Sequence, residues 1–156
     1  MIELRIPGYR PLKIAHLVLD YNGTLAVDGE PLPGVAAALT RLAADVELHV
    51  LTADTFGVVR ERMSGVPCRL TVLPRENQDC GKLVYVRSLG ADTTACIGNG
   101  RNDRMMLKEA ALGIAVILGE GAAREALDAA DIVCTDILAA LDLFRNPLRM
   151  TATLRS

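Results

Sequence analysis

Apolar residues along the chain gather in short runs rich in Val, Ile and Leu, and between the runs they thin out to helical spacing. The runs predict core strands over 14–19, 46–51, 69–73, 94–97 and 113–117, with a short sixth near 131–134. Val35, Leu39 and Leu42 recur at helical intervals after Pro33-Gly34, and Ile137, Leu138, Leu141 and Phe144 do so after Thr135-Asp136. Strand then helix is the repeating unit. No long linker, internal repeat or low-complexity tract interrupts it, so residues 1–156 read as one α/β domain on a parallel sheet. The opening IELRIPGYRPLKIAHLVLD reads as two strands joined by a Pro/Gly turn, which predicts an N-terminal β-hairpin ahead of the first core strand.

An open parallel sheet binds ligands beyond the carboxyl ends of its strands. Asp20 ends the first core strand, Thr52 in HVLTADT ends the second, and Gly98-Asn99-Gly100 in CIGNGRND ends the fourth. Lys82 in CGKLVYVRSLG opens the helix after the third. Four polar signals thus fall on one edge. A carboxylate that attacks a phosphoryl group needs its own charge and the substrate's charge offset, by a divalent cation, an ammonium, a hydroxyl or backbone N–H groups. Asp20 suits the nucleophile and Lys82 the neutralising cation. Gly23, Thr24, Thr52 and Ala53 suit phosphate binding, and Asp103 with its Asn neighbours suits a metal.

Composition narrows the class further. Hydrophobic residues make up 51% of the chain but aromatics only 3%, a core of aliphatic side chains that suits a helix-covered parallel sheet. The formal charge of −2 and the lack of a basic cluster interleaved with aromatics argue against a nucleic-acid surface. The stretch AALGIAVILG is far shorter than the roughly 18 apolar residues of a membrane span, and the N-terminus shows no signal-peptide pattern, so a cytoplasmic protein is expected. Cys68, Cys80, Cys96 and Cys134 are widely separated, with no Cys-x-x-Cys pair, and read as buried thiols. His16 and His49 fall inside apolar strand patterns and read as ordinary strand residues. Arg101 and Arg104 read as solvated surface.

In order and spacing, DYNGT, LTADT, Lys82 and GNGRND resemble the four motifs of the haloacid dehalogenase superfamily of phosphatases and phosphotransferases. The version most similar is the phosphorylation domain of P-type ATPases, and within it the stand-alone soluble hydrolases of that type. The likeness continues through NDRMMLKEAALGIAV and AADIV, covering roughly residues 14 to 145. It implies a Rossmann-like, doubly wound parallel sheet, Mg²⁺, and an aspartyl-phosphate on Asp20. It also implies Asp20, Asn22 and Lys82 as the catalytic set, Asp20, Asn22, Asn99 and Asp103 around the metal, and Asn102 in support.

Two residues depart from that pattern. Asn22 stands where most superfamily phosphatases carry the Asp that protonates the leaving group and activates water, and Asn99 stands where they carry a metal-binding Asp. An amide exchanges no proton near neutral pH, and it brings no charge to a cation. Only 31 residues separate Asp20 from Thr52, room for a short flap around AVDGEPLPG but not for a large cap or a nucleotide-binding domain. Two functions follow: a slow Mg²⁺-dependent phosphohydrolase or phosphotransferase acting on a small phosphorylated molecule, or a non-catalytic phosphate-binding or regulatory module. An uncapped site also fits a homo-oligomer in which a neighbouring subunit covers it.

Overall fold

A computed structural model of the chain describes residues 1–54 and 57–156. Strands β1 (Ile2–Leu4) and β2 (Leu12–Ile14) pair antiparallel, the expected N-terminal hairpin. The next elements are β3 (His16–Asp20), β4 (Ala26–Val27), β5 (Glu30–Pro31), α1 (Val35–Leu42), β6 (Glu47–Thr52), α2 (Val58–Arg62) and β7 (Arg69–Val72). They are followed by α3 (Gln78–Leu89), β8 (Thr94–Gly98), α4 (Arg104–Glu109), β9 (Leu112–Val116), α5 (Arg124–Ala129), β10 (Ile132–Cys134), α6 (Ile137–Leu143) and α7 (Pro147–Leu154).

Six of the strands form one wholly parallel sheet in the order β10-β9-β8-β3-β6-β7. From β3 the chain winds outward through β6 and β7, then returns to the other side of β3 and winds out through β8, β9 and β10. The direction of winding therefore reverses between β3 and β8. All six strands coincide with the six expected apolar runs to within two residues. The physical reason is that a parallel strand buried on both faces must be apolar throughout, a signal that single residues cannot blur.

Helices cover both faces of the sheet. Leu17, Leu19, Val50, Ile97 and Ile114 pack with Leu39 and Leu42 of α1, Leu141 of α6 and Met150 of α7. On the other face Val18, Leu51 and Cys96 meet Val86 of α3, Met106 and Leu107 of α4, and Ala126 of α5. The side chains of one strand alternate between these faces, so Asp20, two residues beyond Val18, points toward α3 and α4. Between β3 and α1 lies only the two-stranded β4–β5 flap, so there is no large cap domain. Among the described residues no helix is long and apolar enough to cross a membrane. One expectation fails: of the four cysteines only Cys96 is buried, while Cys80 is exposed and Cys68 and Cys134 are half-buried. Cys80 lies on the surface of α3, Cys68 in the loop just before edge strand β7, and Cys134 at the end of edge strand β10.

The close seating of α4 on β9 depends on a missing side chain. A Cβ at Gly113 would collide with the carbonyl oxygen of Leu107 in α4. Gly81, by contrast, lies within α3 and has ordinary contact room toward Leu73. Gly113→Ala should lower stability by about 1–3 kcal/mol through overpacking, whereas Gly81→Ala should raise it by about 0.5–1 kcal/mol through helix propensity. Urea denaturation of the two variants checks both signs.

Candidate active site

The site begins where β3 stops. After Asp20 the backbone carbonyl of Tyr21 accepts N–H groups from Thr24 (3.3 Å), Leu25 (2.9 Å) and Ala26 (3.0 Å), which folds DYNGT into a tight turn. The Tyr21 side chain is buried and its hydroxyl donates to the carbonyl of Gly29 at 3.1 Å, tying the turn to the flap. Gly23 has a φ of 78°, and a Cβ there would collide with the Asn99 amide. Glycine thus lets the turn after β3 lie directly against the loop after β8.

Lys82, from the second turn of α3, reaches into this junction and is almost wholly buried. Its ammonium donates to Asp20 Oδ1 and to Asp103 Oδ1, both at 2.6 Å. The other oxygen of Asp103 accepts the backbone N–H groups of Asn99 (3.0 Å) and Gly100 (2.8 Å). A Cβ on Gly98 would collide with the Asp103 carboxylate, so Gly98 is what lets it come so close to β8. Burial and the neighbouring Asp103 carboxylate push Asp20 above the ordinary carboxylate range, against the pull of Lys82. Burial alone would lower the Lys82 ammonium, but the two carboxylates and their hydrogen bonds outweigh it and raise its pKa. The triad with both carboxylates ionised carries one net negative charge.

Thr24 and Asn99 complete the cluster. The Thr24 hydroxyl lies 3.4 Å from Asp20 Oδ2 and 3.3 Å from Asn99 Oδ1, so three side-chain oxygens gather at one point. The Asn99 amide nitrogen donates to the carbonyl of Gly121 at 3.0 Å, which aims its oxygen at Thr24. Asn102 donates to Gln78 Oε1 at 2.7 Å, linking the β8 loop to the first residue of the helix that carries Lys82. Thr52 is buried at the end of β6, where its hydroxyl accepts the Asp54 N–H at 3.2 Å. Ala53 and Asn22 line a cleft with Tyr21, Val58, Arg62 and Arg75. Thr55, the last residue of LTADT, lies outside the described residues.

Contacts therefore join Asp20, Thr24, Lys82, Asn99 and Asp103 into one cluster, with Gly23 packed on it, while Asn22 and Ala53 line the cleft and Thr52 ends β6. Sequence reasoning missed Arg62 and Arg75 in the cleft wall. Neither falls in a motif, and only the turn of the chain after β6 and β7 brings them beside Asn22. Arg101 and Arg104 form ion pairs with Glu125 and Asp79, in keeping with surface positions.

No protein-family model matches the sequence. A stretch of 59 residues is 52% identical to an uncharacterised protein of Methanocaldococcus jannaschii, covering 38% of this chain and 63% of that one, less than two thirds of its length. A second uncharacterised protein of that archaeon is 46% identical over 39 residues, 25% of this chain and 89% of its own. Among solved structures, a chain from Legionella pneumophila assigned to subfamily III A of the haloacid dehalogenase (HAD) superfamily superimposes with a TM-score of 0.72, at 21% identity, over 90% of this chain and 87% of that one. The cobalt-bound deoxy-D-mannose-octulosonate 8-phosphate phosphatase of Haemophilus influenzae does so with a TM-score of 0.73, at 18% identity, over 92% and 94%. The corresponding phosphatase of Moraxella catarrhalis, in complex with magnesium, phosphate and the octulosonate, gives 0.71 at 17% identity over 91% and 94%. This is the HAD fold. Within it, Asp20 and Gly98 end the two strands that flank the reversal of winding, the crevice where open α/β sheets bind ligands.

The HAD-fold cluster hangs on Lys82, and that dependence is measurable. Lys82→Met leaves Asp20 and Asp103 buried side by side without a counter-charge, a loss of about 3 kcal/mol or more at pH 8. The Asp20 pKa, already raised by burial, then lies further above its unfolded value once Lys82 no longer lowers it. The stability Asp20 contributes is complete below about pH 4 and is lost as pH rises through the raised value. The deficit against the parent chain should therefore shrink from pH 8 to pH 5, as read by urea denaturation at the two pH values.

Proposed function

We propose that the chain is a Mg²⁺-dependent phosphohydrolase or phosphotransferase that carries a phosphoryl group on Asp20 and acts on a small phosphorylated molecule. The observation that carries this reading is the Lys82 ammonium shared between Asp20 and Asp103 at the crevice between β3 and β8. A structural lysine would be satisfied by one carboxylate, whereas two carboxylates around one ammonium keep a negative charge that a phosphate could not approach. A divalent cation reverses that balance.

The residues present fit Mg²⁺. Asp20 Oδ2 and Asn99 Oδ1 are hard oxygen donors gathered on either side of Thr24, with no sulfur or imidazole among them. Asp20, Asn99 and the main chain of Asn22 would hold the ion. Asp103 would act from behind, since both its oxygens already serve Lys82 and the loop. Bound there, Mg²⁺ would supply positive charge to the phosphoryl oxygens.

The chain's own residues carry the rest. The Asp20 carboxylate attacks phosphorus, the new O–P bond forms as the bond to the leaving oxygen breaks, and Lys82 keeps the carboxylate ionised and in place. Thr52 and the backbone of Gly23 and Ala53 orient the phosphoryl oxygens. The leaving oxygen takes its proton from water, because Asn22 has none to give. Substrates with leaving groups that need no proton are favoured, and hydrolysis of the acyl phosphate is slow. The flap leaves the crevice without a cap, which suits either a small open substrate or a second copy of the chain seated over it. The Moraxella phosphatase, whose complex holds a sugar acid, phosphate and magnesium, supports the small-substrate class. Asn22 and Asn99 favour a second reading, a phosphate-binding module without turnover.

Acetyl phosphate and Mg²⁺ should place one phosphoryl group on the Asp20 peptide, seen by mass spectrometry after acid quench and absent in Asp20→Asn. Asn22→Asp should speed decay of the adduct by about 10²- to 10⁴-fold. If phosphate binds in calorimetry but no adduct forms with any activated donor, the binding module takes over.

A separate variant tests the metal. Asn99→Asp adds a charge at the oxygen cluster and should tighten Mg²⁺ roughly tenfold in calorimetry. Unchanged or weaker affinity would remove Asn99 from the ligand set.

A further inference from the structure

A second polar cluster lies at the opposite, amino edge of the same sheet. β3 and β6 run parallel with His16 opposite Glu47, and His49 follows Glu47 by two residues, so all three side chains share the face covered by α3. His16 Nδ1 is 3.1 Å from His49 Nε2 and 3.5 Å from Glu47 Oε2, and the three atoms all lie within 4.8 Å of one another. Sequence reasoning took both histidines for ordinary strand residues, because their pairing depends on the register of two strands.

We infer that His16, Glu47 and His49 form a binding site for a borderline divalent transition ion such as Zn²⁺, separate from the proposed Mg²⁺ site. Two imidazole nitrogens and a carboxylate oxygen are a donor set that zinc takes, with a fourth position left for water. The 3.1 and 3.5 Å separations bracket the ~3.4 Å edge of a tetrahedron built on zinc–ligand bonds of about 2.0–2.1 Å. Hydrogen bonding satisfies the cluster less completely. The single proton on His16 Nδ1 can serve His49 or Glu47, not both, while one cation accepts all three lone pairs together.

The surroundings hold each donor in that orientation. His49 Nδ1 is 2.9 Å from the Tyr85 hydroxyl, so the ring can give its proton to Tyr85 and keep Nε2 free for a metal. Arg69 pairs with the other oxygen of Glu47 and leaves Oε2 toward the histidines. The Arg69 side chain is 71% exposed, so its charge is largely screened. His49 itself is fully buried, whereas His16 and Glu47 are partly exposed and give an ion a way in. The site would tie β3 to β6 roughly 13 Å along β3 from Asp20, at about 3.3 Å per residue.

Calorimetry on the full chain with Zn²⁺, in excess Mg²⁺ to occupy the oxygen cluster, tests the site. One equivalent should bind with micromolar or tighter affinity, and Zn²⁺ should raise the thermal midpoint. His16→Gln and Glu47→Gln alter partly exposed residues outside the phosphoryl-transfer machinery. Each should weaken Zn²⁺ at least tenfold and abolish the thermal shift, while formation of the phosphoryl adduct on Asp20 stays unchanged. Absence of Zn²⁺ binding in the parent chain, or retained affinity in either variant, overturns the assignment.

Discussion

One buried ammonium holds the carboxyl edge of this protein together. Lys82 sits between Asp20 and Asp103 at hydrogen-bonding distance from both, with Lys82 and Asp103 shut off from water and Asp20 exposed only at its edge. A charge buried without a partner is strongly destabilising, so each of these residues obliges the others to stay. The consequences spread outward through the backbone. Asp103 gathers the Asn99 and Gly100 N–H groups, and that sets the loop after β8. Asn99 in turn is seated against the glycine that turns the chain after β3. The ion triad is thus both a structural lock between three segments and the electrostatic centre of the crevice.

The two asparagines bear on that same balance of charge. With Asn99 in place of a carboxylate, the cluster keeps only the one net negative charge left by Lys82 and its two carboxylates. Under the proposed function, cation affinity is the property that would weaken. On the same reading, Asn22 at the cleft would let the Asp20 carboxylate form a bond to phosphorus more readily than release it to water. Nucleophile and charge neutralisation would be in place while proton transfer would be missing, so formation and breakdown of a phosphoenzyme would be separated in rate.

α3 connects the two ends of the sheet. Its first turns carry Lys82 to Asp20, and one turn later Tyr85 meets His49 below. Along β3, His16, Val18 and Asp20 face the same helix in succession, so a polar cluster, an apolar layer and a second polar cluster follow one another down one face. The apolar layer of Val18, Leu51, Cys96 and Val86 insulates the clusters from each other, and different donor sets at the two ends suit ions of different hardness.

Local pattern in the sequence was enough for the parallel sheet, the hairpin, the absence of a large cap and the edge on which polar residues collect. Doubly buried strands must be apolar along their whole length, and strand ends must break at polar turn formers, so both signals are written into neighbouring residues. Asp20, Lys82, Thr52 and the GNGRND loop could be named for the same reason. What sequence could not supply is contact across distance. Lys82 reaches Asp20 over 62 positions and Asp103 over 21, and both distances close only because β8 returns to the far side of β3. The same holds for Arg62 and Arg75 in the cleft and for the pairing of His16 with His49. Spacing along the chain constrains only elements that are local. Which strand lies beside which, and in what register, is decided by the packing of the whole sheet.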